Sequence, residues 1–140
     1  MQVLSGAGLF TARGAGRGVH WVEHLRVSDL SVGTYSVPAG ADDDQEPHTE
    51  DEIYVVTAGQ ATLEAGGEAV PVGPGSVLYV PANEPHHFTN VTSDLAVLVL
   101  FAPAEYSRAA GRRCGRRPLA TYTILSLWGS SRIPLLSIKS

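Results

Sequence analysis

The feature that most restricts this chain is its punctuation. From Val19 to Phe101 the sequence is cut into short runs rich in Val, Leu, Tyr and Thr, separated by Gly, Pro, Asn or Asp. Such runs suit strands, which need only about five or six residues. Residues 19–27, 31–37, 52–57, 61–65, 76–80, 86–90 and 95–101 read as strands. Gly66-Gly67 sits between two such runs and predicts a hairpin, because both glycines accept a positive φ. Fifteen Gly and nine Pro among 140 residues favour many short strands over long helices. The length fits one domain with one core. An all-β sandwich or barrel follows.

Charge divides the chain in two. Up to Glu105 there are fourteen acidic residues and three arginines, whereas beyond it there are seven basic residues and no acid. An acidic body is a poor surface for nucleic acid, which needs clustered Lys and Arg. One cysteine, Cys114, excludes an intramolecular disulfide framework and a Cys-only zinc site. No apolar run is long enough to span a bilayer, and residues 1–10 lack the basic-then-apolar order of a signal peptide. The expectation is a cytoplasmic protein with neither nucleic-acid nor membrane partners. Three regions are expected: a Gly-rich arm (1–18), a β-domain (19–106), and a basic, then apolar tail (107–140) in which 119–127 has the composition of one more strand.

Residues with metal-binding or acid-base chemistry gather at Glu46-Pro-His48-Thr-Glu50-Asp-Glu52 and at Glu84-Pro-His86-His87. His48 and Glu52 are four apart, an even separation that places both on one face of an extended chain. If that face is interior, an imidazole and a carboxylate meet one metal, and a third ligand must come from another strand. His87 is expected to point away from His86. Tyr54 shares parity with Glu52, and Phe88 with His86, so both rings are expected to line the pocket; Tyr54 is the candidate proton donor. His20 and His24 have no carboxylate at ligand spacing and read as a strand face.

These two stretches resemble the motifs of the cupin family. The first motif of that family ends in His, three or four residues, Glu, six residues and Gly, which His48, Glu52 and Gly59 match. The second, G-x5-P-x-G-x2-H-x3-N, is matched by Gly75, Pro81, His86 and Asn90, with Asn83 in place of the inner Gly. The resemblance runs from about Leu30 to Phe101. It implies a double-stranded β-helix of jelly-roll type, with one divalent transition metal (Fe, Mn, Ni or Zn) held by His48, Glu52 and His86 near the barrel mouth. Family members usually carry a further His where this chain has Glu46, which is either a fourth ligand or a solvated loop residue. Two functions are compatible with the resemblance: a small metalloenzyme of dioxygenase or isomerase/lyase type acting on a small organic substrate, or a small-molecule sensor without turnover. Runs apolar at both parities, such as Val77-Leu-Tyr-Val80, suggest a second layer and hence a homodimer.

Overall fold

The computed structural model describes residues 1–12, 14 and 18–110 of the chain; the expectations for Cys114 and for 119–127 lie outside them. Six strands, β1 (His20–Val27), β2 (Leu30–Val37), β3 (Asp51–Ala65), β4 (Glu68–Val72), β5 (Val77–Val80) and β6 (His86–Ala102), precede a single turn of helix, α1 (Ser107–Ala110). All pairings are antiparallel, in the order β1-β2-β6-β3-β4, with β5 also paired to β3. β3 and β6 are long because each serves both halves of a jelly roll. The first half of β3 lies between β5 and the second half of β6, and its second half lies between β4 and the first half of β6.

Each long strand replaces two of the strands expected from the sequence, and the reason is a change of phase. In β3 the inward residues are Glu52, Tyr54 and Val56, and after the bend they are Ala61 and Leu63. Register shifts between Val56 and Thr62 change the parity, so both halves still face the core. β6 does the same, from His86 and Phe88 to Leu95, Val97, Val99 and Phe101. Gly59 makes the bend possible. It has φ +85°, and a Cβ there would lie 2.4 Å from the Asp94 carbonyl oxygen and 2.6 Å from Leu95 Cα.

The core contains Tyr35, Val37, Tyr54, Val56, Leu63, Val80, Phe88, Leu95, Val97, Val99 and Phe101. The outer face is not uniformly covered. Val77 and Tyr79, expected to be buried on both faces of their strand, are 66% and 62% exposed. On β2, by contrast, outward Thr34 and Ser36 are buried, because the Gly-rich arm lies across them. Gly8 N donates to Thr34 Oγ1 at 2.7 Å, Thr11 N to Ser36 Oγ at 3.1 Å, and Thr57 Oγ1 to Gly8 O at 2.5 Å. Residues 1–11 thus supply part of the second layer. A β-bulge at His24 in β1 turns that ring to Thr34 Oγ1, at 2.7 Å, while His20 meets Thr11.

Gly59→Ala tests the bend. Strain at positive φ alone costs about 1–3 kcal/mol, and the collision with β6 adds to it, so the melting temperature should fall by about 5 °C or more. Gly75→Ala, at φ +92° but with nothing within 4 Å of its Cβ position, should fall less. Thermal melts of the two variants compare collision with conformation directly.

Candidate metal centre

Three parts of the chain converge at one end of the barrel. β3 supplies Glu52, β6 supplies His86, and the loop before β3 supplies His48; each offers a ligand atom, all within 4.8 Å of one another. His48 and Glu52 meet as expected, though not along one extended strand. The chain bends at Thr49–Glu50, and the His48 carbonyl is fixed from across the barrel by Asn83 N at 2.7 Å. Asn83 stands where the second motif has Gly, and its φ of +66° shows why: the turn needs the left-handed region, which Asn tolerates better than most residues.

The hydrogen bonds of the site separate two buried carboxylates. Glu50, fully buried, accepts from Tyr106 N at 3.0 Å, Arg108 N at 2.8 Å and Thr49 Oγ1 at 2.8 Å, so its charge is answered by the start of α1. Glu52, 1% exposed, is not answered in this way. Its Oε2 has no hydrogen-bond partner among the described residues, and neither has His48 Nδ1, which lies 2.7 Å from Glu52 Oε1 but off the line of a hydrogen bond. A buried carboxylate and an imidazole nitrogen left without partners, side by side, form a donor set that fits a divalent cation. His86 completes it: Nδ1 donates to the Glu84 carbonyl at 2.7 Å, which leaves Nε2 as the free lone pair.

Tyr54 lies against that lone pair, with its hydroxyl 2.8 Å from His86 Nε2 and 3.4 Å from Gln45 Oε1. Burial, then the charge of Glu52, raises its pKa well above the usual phenol value, so it stays a neutral O–H donor. Burial lowers the His48 pKa, but contact with Glu52 and the charges of Glu52, Glu105 and Glu50 outweigh it, and the net shift is upward. Asp43 fixes the loop above by accepting from Tyr35 OH, Gln45 and Phe88 N.

A cavity of about 310 Å³ opens over this cluster, and His48, Tyr54, Trp21, Phe101, Glu105 and Tyr106 are among its lining. Trp21 fits because β2 has Gly33 beneath it: a Cβ there would lie 2.0 Å from the indole. Glu46 is exposed at the cavity rim and does not join the three-residue cluster. Phe88 packs on Tyr54 in the core, with ring centroids 5.6 Å apart, and does not line this cavity. His87 points outward, 3.6 Å from Glu64. The sequence reading missed Glu105. Its backbone N donates to Ser31 Oγ at 2.9 Å, and its carboxylate comes within 3.6 Å of His48 Nε2. Burial raises its pKa, partly offset by His48 and Arg26.

Residues 33–102 match the family model for the cupin domain. The chain belongs to the cupin family. An uncharacterized protein of Streptomyces coelicolor is 45% identical over 85 residues, 61% of this chain and 81% of that one. Among solved structures, KdgF from Halomonas sp. superposes with TM-score 0.58 at 24% identity, over 65% of this cupin and 84% of that chain. A chain from the structures of the DMSP lyases RdDddP and RnDddQII superposes with TM-score 0.55 at 27% identity, over 60% of this cupin but only 47% of that chain.

Glu50→Gln keeps the shape but turns an amide N–H₂ toward backbone donors. It should destabilise the protein by about 1–3 kcal/mol. Hydrogen exchange should localise the loss, with the amides of Tyr106 and Arg108 losing protection and those of β3 retaining it.

Proposed function

We propose that this protein is a small metal-dependent enzyme of isomerase or lyase type, acting by proton transfer on a small organic molecule. The observation that carries the reading is the buried Glu52 carboxylate, unsatisfied between His48 and His86 on the floor of a cavity. His48, Glu52 and His86 would hold one divalent cation, and Glu46, on the rim, would remain solvated. When bound, the cation supplies Lewis acidity toward a substrate oxygen. Tyr54 holds a proton at its hydroxyl beside His86, where it can be passed to or from a substrate over the floor. Val99, Phe101 and Trp21 exclude water on the barrel side. Likeness to a DMSP lyase chain supports this choice of reaction class.

Metal content of protein purified without chelators tests the first half. Zinc should bind at one equivalent, and His86→Ala should lose more than the about 10- to 100-fold in affinity that removal of even an outer partner costs. His87→Ala should bind as the parent does. Full zinc stoichiometry in His86→Ala would reject the site.

The second half is read by proton exchange in D2O, followed by NMR on small carboxylic acids with the zinc-loaded protein. Tyr54→Phe should retain zinc and slow the exchange by about 100-fold or more. Exchange at the parent rate would remove Tyr54 from the chemistry.

The reading extends to a homodimer through the β5 edge, supported by exposed Val77 and Tyr79 beside Ile53. Light scattering should give twice the chain mass, and a monomer mass across a wide concentration range would exclude it.

A further inference from the structure

The two ends of the cavity differ in charge. At the floor, two neutral imidazoles and one carboxylate around a dication leave one net positive charge, a statement that rests on the metal reading above. At the mouth the same cavity is lined by Asp44, Glu46 and Glu105, and among the described residues no Lys or Arg lines it. Glu105 is the decisive member. It is 8% exposed, yet its carboxylate meets Arg26 at 3.7 Å and His48 at 3.6 Å, both beyond hydrogen-bond length. Arg26 directs its short hydrogen bonds elsewhere, to the Glu23 carboxylate and to the Glu105 backbone carbonyl at 2.8 Å. The Glu105 charge is therefore buried beside the cavity without a close partner. Between the two ends stand aromatic rings. Trp21 and Phe101 pack edge to face with centroids 6.0 Å apart, and Tyr106 flanks His48 at 6.1 Å. Aromatic faces beside carboxylates attract cations and repel anions.

The geometry points to a small zwitterion as the ligand: an anionic oxygen, such as a carboxylate, at the metal end, and an ammonium group at the mouth among Glu105, Glu46 and Asp44 and against Trp21, Phe101 and Tyr106. A volume of about 310 Å³ admits a molecule of about ten water volumes. A polyanion meets like charge at the mouth. An uncharged molecule leaves the buried Glu105 charge unanswered.

Glycine betaine and 3,3-dimethylbutanoate test this, because they share a shape and differ in one nitrogen charge. Titrated into zinc-loaded protein by calorimetry, betaine should bind at least about tenfold more tightly. Glu105→Gln should remove that preference. Glu46→Gln, an exposed substitution that leaves the core intact, should weaken betaine and spare its carbon analogue. Choline and 3,3-dimethylbutan-1-ol repeat the comparison in metal-free protein, where the mouth acts alone. Zinc uptake without a preference for the charged member of either pair, or without betaine binding, overturns the zwitterion and leaves the metal site standing. Absence of zinc uptake with choline still preferred overturns the metal reading, and with it the anionic half of the ligand.

Discussion

A carboxylate held at 1% exposure inside a β-barrel sets the terms for everything around it. Ionised Glu52 is costly to bury unless positive charge or hydrogen bonds answer it. The fold fixes it rigidly, since this part of β3 is paired on both sides, with Val80 of β5 and Phe101 of β6. Two residues earlier, Glu50 faces the same cost and meets it with two backbone amides and a hydroxyl. That contrast separates a structural acid from a functional one in adjacent turns of chain. One carboxylate anchors the segment after β6, and the other remains open to a cation between two imidazoles.

Much of this was legible in the sequence, because motif spacing and local punctuation are properties of short segments. His48, Glu52 and His86 converge, and the jelly roll is the architecture that the runs and breaks implied. Strand number was not legible, since a break in alternation looks like a strand end unless the partner strand is known. β3 and β6 continue through their breaks by shifting register against each other. Glu105 was opaque for a similar reason. Its place is set by Ser31, Arg26 and, through Tyr106, by Glu50, all far away in sequence, and no period in 103–106 signals it. Trp21 likewise gained meaning only once Gly33 lay beneath it.

The lining of the cavity follows from the order of these constraints. The barrel interior supplies apolar walls by simple alternation, with Val99 and Phe101 on β6 and Tyr54 on β3. Polar character enters only where irregular segments cross the open end, at 44–48 and 105–106. Rigid sheet therefore holds two of the three candidate ligands, while the loops set what may approach them. Asp43 and Glu50 keep those loops from being free, because each ties its segment to the barrel through several hydrogen bonds.

The arm over β2 is fastened in an uneven way. In its three contacts with Thr34, Ser36 and Thr57, the arm contributes main-chain N–H and C=O groups, and the barrel contributes hydroxyls. Side-chain identity in the arm is thus nearly irrelevant to the attachment, except at buried Gly8, where φ is +78° and a Cβ would lie 2.9 Å from Thr57. Over evolutionary time such an arm is free to drift in sequence while staying attached. The memory of where it binds is kept in three hydroxyls of the barrel, and a Val in place of Thr34 would erase part of it without altering the shape of the strand.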